Sequence, residues 1–280
     1  MHTKVSLFYL YQIILKFFDP DMIAIRQAVI LAGGLGTRMR PLTNTTPKPM
    51  IRIHGKPFLA YLVELLRKNN IKEVIILVGY LHEQIEKYFG NGEEFGLKII
   101  YSYDPVEADT GTRIRNALHL FSKHFLLLYG DNYWPLNLSM LTKFYNDKKK
   151  KASTVVFSNF DKSTKNNMFV DENANVQVYD RKRRKKNLNG VDMGFFILDR
   201  SILSWLPSTN CSFEDTILKK LVKNRQLAGF MTHHKYYSLS NLDRIAGIEK
   251  YFEKKKIVFL DRDGVINKKA SQARYITKWE

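Results

Sequence analysis

The sequence predicts an α/β fold in which a mostly parallel sheet is flanked by helices. Short apolar runs alternate with helix-like segments along the chain, a pattern typical of parallel β-α-β units. With 280 residues, 45% of them hydrophobic, the chain is long enough to bury one core of ordinary size. The single cysteine, Cys211, excludes a disulfide framework and favours a reducing compartment, so we expect a cytoplasmic protein.

Each predicted element rests on its local pattern. Apolar runs predict strands at about 27–32, 73–78, 97–102, 124–129 and 152–157. Helical periodicity between them predicts helices at about 57–69, 82–89, 112–120 and 138–149. The later part of the chain adds two extended runs and two helices, predicted at about Asn175–Tyr179, Val191–Leu198, 213–224 and 240–253. Open α/β sheets bind ligands at the carboxyl ends of their strands, so we expect a Rossmann-like core with a small ligand-binding subregion added there.

The most informative motif is Q-A-V-I-L-A-G-G-L-G-T-R-M-R-P-L-T-N-T-T-P-K-P, at residues 27–49. Glycines at 33, 34 and 36 let backbone amides approach an oligophosphate that side chains would hold off, and successive amides form an anion-binding concavity. Arg38 adds a planar donor fork suited to phosphate oxygens. Lys48 adds a compact positive charge on a loop that two prolines restrict. The motif therefore predicts a site for a nucleoside triphosphate.

Two other phosphate-binding signatures are missing from this stretch. The string G-x-x-x-x-G-K-[ST] of the common P-loop does not occur, and G-G-L-G-T-R lacks the spacing G-x-G-x-x-G. A glycine-rich turn without a ligand is the structural alternative. The combination of the turn with T-R, P-L-T and P-K-P favours the phosphate site over that alternative.

The motif resembles the signature of the sugar-phosphate nucleotidyltransferases, which include glucose-1-phosphate thymidylyltransferases and mannose- and heptose-1-phosphate guanylyltransferases. The resemblance continues in I-H-G-K-P-F-L-A-Y-L-V-E-L-L and V-I-I-L-V-G-Y-L-H-E-Q-I-E-K-Y-F-G, and it covers about residues 25–253. It implies the nucleotide-diphospho-sugar transferase fold, a nucleoside triphosphate and a sugar 1-phosphate as substrates, and Mg²⁺ as cofactor. It also implies a role in supplying nucleotide sugars for lipopolysaccharide or another surface polysaccharide. The nucleotide-binding residues that it implies in the first motif are Leu31, Gly33, Gly34, Gly36 and Thr37.

A second landmark is H-F-L-L-L-Y-G-D-N-Y, where Asp131 directly follows a predicted buried strand. A carboxylate at this edge of the sheet would reach a cleft in which Mg²⁺ bridges it to phosphate oxygens. The position matches the acidic residue of the family's G-D metal motif, so the resemblance makes Asp131 both the metal ligand and a catalytic residue. A plain turn after the strand is the structural alternative.

The third landmark, D-T-G-T-R-I-R-N-A-L, resembles the family segment T-G-G-G-I-R-x-A-L that lines the nucleotide base. Thr112 and Arg113 stand at positions that are often glycine, so the base cannot be identified from this segment. Gly111 is the residue that we expect against the base. A helix N-cap at Thr110 or Thr112 is the structural alternative.

The sugar side of the site is predicted from two shorter strings. V-Y-D-R-K stands where the family has an acid followed by lysine, which makes Asp180 a candidate for a sugar hydroxyl and Arg181 or Lys182 for the sugar phosphate. N-G-V-D-M-G-F-F-I-L-D matches a strand whose acid faces the sugar, hence Asp192. At Y-Y-S-L-S-N-L-D the chain has Ser238 where the family often has a second metal-binding aspartate. Either Asp131 and the phosphates hold the metal, Ser238 acts through water, or activity is reduced.

The implied reaction is an in-line nucleotidyl transfer in which a sugar 1-phosphate oxygen attacks the α-phosphorus and pyrophosphate leaves. Arg38 is expected to stabilise the pyrophosphate, and Lys48 to neutralise the α-phosphate region. Mg²⁺ on Asp131 would orient the phosphates. A heptose 1-phosphate with GTP is the favoured pair, while a hexose 1-phosphate with dTTP, UTP or CTP stays open.

The two ends of the chain are expected to lie outside this domain, which we place at residues 22–253. Residues 1–21 form an N-terminal extension, interpreted as sequence upstream of the usual start or, alternatively, as an amphipathic membrane-contact helix. In residues 254–280, F-L-D-R-D-G-V-I-N resembles the first motif of haloacid-dehalogenase-type phosphatases, with Asp261 as nucleophile and Asp263 as acid/base. Seventeen residues follow Asp263, so we expect a truncated fragment without phosphatase activity.

The net charge of +18 favours anionic partners, and nucleotides and sugar phosphates meet that requirement. Much of the excess positive charge lies in Lys148–Lys151 and Arg181–Lys186, which we interpret as solvated loops. We expect no nucleic acid and no stable membrane insertion, and a homo-oligomer is left open. A non-catalytic nucleotide-sugar sensor or decayed enzyme is the alternative function, and a basic nucleic-acid-binding protein is a poorer one.

Overall fold

The structure is a computed structural model that describes residues 23–253. The predicted N-terminal extension and the D-x-D-G segment with Asp261 and Asp263 lie outside the described residues. Within the described range the chain forms thirteen strands. They are β1 (Gln27–Leu31), β2 (Arg52–Ile53), β3 (Lys56–Pro57), β4 (Glu73–Val78), β5 (Lys98–Tyr103), β6 (His124–Tyr129), β7 (Asn132–Tyr133), β8 (Ala152–Phe157), β9 (Met168–Val170), β10 (Val176–Tyr179), β11 (Val191–Asp199), β12 (Leu227–Thr232) and β13 (Tyr237–Ser238).

Six α-helices accompany these strands in the same part of the chain, and a π-helical turn at Glu214–Leu218 leads directly into the fifth. The helices are α1 (Phe58–Lys68), α2 (His82–Phe89), α3 (Thr110–Asn116), α4 (Leu138–Lys148), α5 (Lys219–Lys223) and α6 (Ile245–Phe252).

Seven strands form the central sheet in the order β12-β8-β11-β6-β1-β4-β5. All neighbouring pairs are parallel except those that involve β11, which runs antiparallel to both β6 and β8. The prediction of a mostly parallel sheet flanked by helices is therefore confirmed. Because β6, β1 and β4 all run the same way, their carboxyl ends meet at one edge, where the chain leaves the sheet in loops.

The core lies on both faces of this sheet, which explains why β1 is apolar at nearly every position. Ala28 and Ile30 pack into one hydrophobic cluster with α1, whereas Val29 and Leu31 belong to the cluster on the opposite face. A strand covered on both faces has no polar side and therefore reads as a continuous apolar run. Helix α1 buries seven of its eleven residues against the first cluster.

The predicted elements agree with the structure apart from the bounds of two helices and several strands that were not predicted, β12 among them. The helix expected at 240–253 begins only at Ile245, after a short 3₁₀ turn at Leu242–Arg244. The helix expected at 112–120 ends at Asn116, and Leu118–Leu120 form a 3₁₀ turn. Strand β12 was not predicted. Its Gly229 weakens the strand pattern, but a side chain there would lie 2.9 Å from Val170, so glycine lets β12 pass close to β9.

Candidate active site

The loops at the carboxyl ends of β1 and β6 surround a first cleft of about 360 Å³. Most residues that the sequence predicts for the nucleotide and for catalysis line this cleft together. They are Leu31, Gly33, Gly34, Gly36, Thr37, Arg38, Lys48 and Asp131. Gly111 does not line it, because it packs against the backbone of Cys211, where a side chain would lie 2.8 Å from the carbonyl oxygen.

The glycine turn takes a shape that side chains would block at two of its three glycines. Gly36 has φ +63°, and a Cβ there would lie 2.9 Å from the Cβ of Lys48. A Cβ on Gly33 would lie 2.4 Å from Nη1 of Arg113. Beside Gly34 there is open space, so this part of the turn faces the cleft without an obstruction. The turn can therefore present its backbone to a ligand, as the motif predicts.

Lys48 and Asp131 form an ion pair across the first cleft, although they lie 83 positions apart in the chain. Lys48 opens a short 3₁₀ helix between two prolines, and Asp131 follows β6 after Gly130. Their side chains are 12% and 27% exposed, so both charges remain accessible from the cleft. The pair places one cation and one carboxylate where a polyphosphate would meet them.

Arg38 lies on the exposed rim of this cleft, in the 3₁₀ turn Thr37–Met39. Its guanidinium has no hydrogen-bond or ion-pair partner among residues 23–253. A planar cation with all of its donors available suits a phosphate ligand.

A second cleft of about 490 Å³ adjoins the first, and the two share part of their lining. The shared residues are Arg38, Thr110, Tyr129 and Asp131. The second cleft is more polar and includes the predicted residues Asp192 and Arg181. Two ligands placed in the two clefts would therefore meet at Arg38 and Asp131.

Glu214 is a residue of the second cleft that the sequence did not identify, since only a helix was predicted over its segment, at about 213–224. Its carboxylate is buried and accepts hydrogen bonds from Thr110 Oγ1 at 2.9 Å and from the Tyr129 hydroxyl at 2.7 Å. Burial and the nearby Glu214 charge raise the pKa of Tyr129 well above its usual value, so this phenol remains a donor. No local pattern marks Glu214, because its partners lie 85 and 104 positions away.

Asp192 lies in the second cleft on β11, as the sequence predicts. Its Oδ1 accepts a hydrogen bond from the Gly194 amide at 2.9 Å. Burial, together with the negative charge of Glu214, raises the pKa of Asp192 to about 7. The carboxyl can therefore exist in both protonation states near neutral pH, and it can donate or accept toward a ligand hydroxyl.

The other predicted sugar-phosphate residues occupy the basic loop after β10. Arg181 reaches the second cleft and donates to Asp215 at 2.7 Å. Asp180 instead accepts hydrogen bonds from backbone amides of the loop, those of Lys182, Arg184 and Lys185. These bonds, above all the one from Lys185, lower the pKa of Asp180. Asp180 and Lys182 line neither cleft in the described part of the chain.

Ser238 lies beside Asp131, at the place where the family often has a second acid. It pairs with Asn132 between β13 and β7, and the amide of Leu239 donates to the Asp131 carbonyl at 2.9 Å. Over residues 23–253, no group of three or more histidine, cysteine, aspartate or glutamate residues is arranged to hold a metal ion. In the same range, no helix is long and apolar enough to cross a bilayer.

Helix α3 begins at Thr110, so its N-cap is Asp109 and not one of the threonines considered as caps. Thr110 and Thr112 instead bond to distant segments: Thr110 Oγ1 donates to Glu214, and Thr112 Oγ1 donates to Asn210 at 2.8 Å. The helix thereby fixes its first turn against the chain around residue 211.

The mostly parallel sheet, the open glycine turn and the two joined clefts are those of an α/β protein with a polar site at the carboxyl ends of its strands. A family model described as nucleotidyl transferase matches residues 27–268, and the chain belongs to this family. The members of this family that the chain is similar to are sugar-1-phosphate nucleotidyltransferases. The resemblance to these enzymes that the sequence motifs indicated is therefore confirmed.

Two relatives and one solved structure show how similar the chain is to known proteins. It is 37% identical over 200 residues to D-glycero-α-D-manno-heptose 1-phosphate guanylyltransferase of Campylobacter jejuni, covering 70% of this chain and 87% of that one. It is 31% identical over 198 residues to UTP–glucose-1-phosphate uridylyltransferase of Synechocystis, covering 65% of this chain but only 51% of the longer relative. The crystal structure of HddC from Yersinia pseudotuberculosis matches with a TM-score of 0.70 at 22% identity, over 82% of this chain and 100% of that one, and supports the fold.

Proposed function

We propose that this enzyme joins GTP and a heptose 1-phosphate to give a GDP-heptose and pyrophosphate. The observation that carries the reaction type is the junction of the two clefts at Arg38 and Asp131, with Lys48 paired to Asp131. The choice of heptose and guanine is supported by the 37% identity to a heptose 1-phosphate guanylyltransferase. The segment around Asp261 resembles the heptose-bisphosphate and histidinol-phosphate branch of the haloacid-dehalogenase-type phosphatases, which supports the heptose by analogy. We place the reaction in the cytoplasm, in keeping with the single cysteine.

The transfer needs no general base, because the attacking phosphate monoester is already an anion. One of its oxygens bonds to the α-phosphorus of the triphosphate, and the bond from the α-phosphorus to the bridging oxygen of the β-phosphate breaks. The electron pair leaves with pyrophosphate. Catalysis then consists of aligning two anions and neutralising their repulsion.

The residues of the two clefts match these requirements. The open face at Gly34 would receive the triphosphate against backbone amides. Arg38, at the rim shared by both clefts, would stabilise the pyrophosphate as it leaves. Lys48, in the first cleft, would neutralise the α-phosphate while the sugar phosphate approaches from the second cleft. On the sugar side, Asp192 and Glu214 would bond to hydroxyl groups.

Mg²⁺ is part of the proposal, and the donors near Asp131 fit it as a nucleotide-bound ion. They comprise one carboxylate at Asp131, the carboxamide of Asn132 and the hydroxyl of Ser238. Mg²⁺ is commonly held by one or two carboxylates together with substrate phosphates. When bound, the ion would neutralise negative charge on the phosphates. Asp131 alone supplies a protein charge for it, so we expect weak metal binding unless the triphosphate is present.

Replacing Ser238 by aspartate tests this dependence. Ser238→Asp provides a second carboxylate beside Asp131, so we expect Mg²⁺ or Mn²⁺ to bind without nucleotide, as measured by calorimetry or by the Mn²⁺ paramagnetic signal. Ser240→Asp, which adds the same charge elsewhere in the second cleft, is the matched control. Tight metal binding by the nucleotide-free wild-type protein would contradict the proposal.

Pyrophosphate release tests the function as a whole. The full chain is incubated with Mg²⁺ and each pair from a panel of nucleoside triphosphates and sugar 1-phosphates, including a heptose 1-phosphate. We expect release to be fastest with GTP and the heptose 1-phosphate. Release with another pair would correct the substrates but keep the enzyme class. Tight binding without release would favour the sensor, and salt-sensitive RNA binding alone would favour a nucleic-acid protein.

A further inference from the structure

Arg113 occupies an unusual place for a cation, since the residue is only 3% exposed and its guanidinium bonds to backbone carbonyls. Its hydrogen bonds to protein go to carbonyl oxygens, at distances from 2.8 to 3.4 Å. Three separate segments supply them: the glycine turn, the end of β4 and the loop after β5. The acceptors are the carbonyls of Gly33, Val78, Asp104, Pro105 and Val106.

The guanidinium also fills the space left by two glycines. A Cβ on Gly33 would lie 2.4 Å from Nη1 of Arg113, and one on Gly79 would lie 2.7 Å from the same atom. Arg113 therefore lies directly against the back of the turn that faces the first cleft. A guanidinium spreads five donors over three nitrogens in a fixed fork and can bond to carbonyls of separate segments, whereas a lysine ammonium has three donors on one nitrogen.

The loop after β5 is fastened a second time, on its other side. Thr112 Oγ1 donates to Asn210 Oδ1 at 2.8 Å and accepts from the Cys211 amide at 3.0 Å. Asn210 in turn donates to the Glu107 carbonyl at 3.0 Å and accepts from the Asp109 amide at 2.9 Å. Residues 104–106 are thus held by Arg113, and residues 107–109 by Asn210. Both anchors start from neighbouring residues on α3.

We infer that Arg113 is a positioning residue that holds the glycine turn and the 104–109 loop in the geometry that binds the nucleotide. Residues 106–109 line the first cleft together with the glycine turn. Arg113 bonds to the turn at Gly33 and to the start of the loop at residues 104–106, so one side chain ties the two segments together. Arg113 itself borders the first cleft, but its guanidinium donates to backbone carbonyls, so it acts on the nucleotide through the segments that it holds. This inference rests on the proposed function, because it assumes that the first cleft receives the triphosphate. Preorganised walls reduce the ordering cost of binding.

Arg113→Ala tests the inference, because it should weaken binding of the triphosphate and leave binding of the sugar 1-phosphate unchanged. We expect the Kd of a non-hydrolysable triphosphate to rise at least about tenfold, the size expected for lost charge-assisted hydrogen bonds. The KM of the sugar 1-phosphate should stay near the wild-type value, because Arg113 does not line the second cleft. Methylguanidinium in the buffer should partly restore triphosphate binding. Arg113→Lys, which keeps the stem and the charge, replaces this variant if it does not fold, and it should also bind the triphosphate more weakly.

Arg115→Ala is the matched control. Arg115 lies on the same helix and also bonds to carbonyls, those of Pro207 and Thr209, but it lines neither cleft. Its triphosphate Kd should equal that of the wild type. An equal loss in Arg115→Ala and Arg113→Ala would indicate a general effect on the fold and would overturn the inference.

A double-mutant cycle tests the contact itself. Gly33→Ala should weaken triphosphate binding strongly in the wild type and less in Arg113→Ala, because the obstructing guanidinium is gone. Gly79→Ala should show less relief, since its Cβ would still lie 2.7 Å from the Gly33 carbonyl. Additive effects of Gly33→Ala and Arg113→Ala would overturn the inference. A wild-type protein that binds no triphosphate would overturn the proposed function first, whereas wild-type binding with an unaffected Arg113→Ala would overturn the inference alone.

Discussion

Single residues connect the two clefts. Lys48 and Asp131 form an ion pair, so each offsets the charge of the other. Arg38 has no such partner in the described range. In the proposed reaction the triphosphate would therefore meet Lys48, which Asp131 already holds in place, and Arg38 at the rim, which has no such partner among residues 23–253. Both cations lie where the phosphates are proposed to bind, so removing either one should lower turnover.

Arg38→Ala and Lys48→Ala are each expected to lower kcat by about two orders of magnitude or more, because each removes a cation beside developing negative charge. Far-ultraviolet circular dichroism should show that both variants keep the fold. Arg40→Ala, two residues along the same exposed turn and outside both clefts, is the control and should retain wild-type turnover. Normal turnover in Arg38→Ala and Lys48→Ala would refute the catalytic assignment.

Asp192 predicts a pH dependence of stability. Its pKa is about 7 in the folded protein, through burial and the charge of Glu214, whereas an aspartate in an unfolded chain has a pKa of about 3.9. Between these values the folded state binds more protons, so this group lowers stability as the pH rises from about 4 to 7. The free energy of unfolding of Asp192→Asn relative to the wild type should rise by up to about 1.4 kcal/mol per pH unit in that window. Above the window this difference should level off. Urea unfolding at pH 4.5, 6 and 8 measures the gain.

Asp171→Asn provides the control for this prediction. Hydrogen bonds from Gln177 and Asn175 lower the pKa of Asp171 to about 2, below its unfolded value. Its contribution to stability is complete above about pH 4, so the difference from the wild type should be constant from pH 4.5 to 8. A constant difference for Asp192→Asn as well would show that Asp192 titrates normally.

The sequence predicted the residues of one motif better than those that distant segments bring together. The glycine turn, Arg38 and Lys48 lie within one short stretch, and their chemistry is visible in their order. Glu214 and Arg113 acquire their roles from contacts as far as 104 and 80 positions away. Nothing in the local sequence shows such contacts. Asp180 is the opposite case. Its position in V-Y-D-R-K suggested that it binds a sugar hydroxyl, whereas its carboxylate accepts hydrogen bonds from the amides of its own loop.

At the scale of elements, a bulge in β11 shapes the second cleft. The register of β11 against β8 shifts between Asp192 and Phe196, and Gly194 within this interval has φ +74°. A Cβ there would lie 2.0 Å from Cδ2 of Tyr129. The bulge thus turns Asp192 toward the cleft and leaves room for the Tyr129 ring that both clefts share.

Gly194→Ala should therefore destabilise the protein by about 3 kcal/mol or more, from backbone strain and the clash with Tyr129. The matched change is Gly247→Ala in helix α6, where no heavy atom lies within 4 Å of an added Cβ. Alanine is a better helix residue than glycine, so this variant should gain about 0.5–1 kcal/mol. Urea unfolding of both variants measures the contrast, and equal effects would show that the bulge tolerates a side chain.

Elements were predicted reliably where tertiary packing follows the local pattern. The strands from β1 to β8 in the central sheet are mostly buried, apart from the edge strand β5, and match the predictions within one or two residues. The later elements depend on irregular backbone, such as the π-helical turn that carries Glu214 and the glycine that allows β12 to pass close to β9. Irregular backbone is stabilised by contacts across the fold, so the sequence around it carries little signal.

At the scale of the whole molecule, the two basic runs lie at different distances from the clefts. Lys151 directly precedes β8, whose direction is that of β6, so Lys148–Lys151 lie near the amino edge of the sheet. The loop Arg181–Lys186 borders the second cleft through Arg181 and Arg183. A strand of six residues spans about 20 Å, roughly twice the Debye length at 0.1 M salt. Salt therefore screens the charge of one basic run from the surroundings of the other, although both contribute to the net charge of +18.

This arrangement predicts how salt and charge removal act on the two substrates. Raising KCl from about 50 to 500 mM should increase KM for both anions several-fold while leaving kcat nearly constant, because screening weakens attraction before the chemical step. Replacing Lys185 and Lys186 with glutamine should raise the KM of the sugar 1-phosphate and reduce its salt dependence. The same two-charge change at Lys148 and Lys149 is the control and should have a much smaller effect. Equal effects of the two double variants would show that total charge, and not the basic loop beside the second cleft, attracts the substrate.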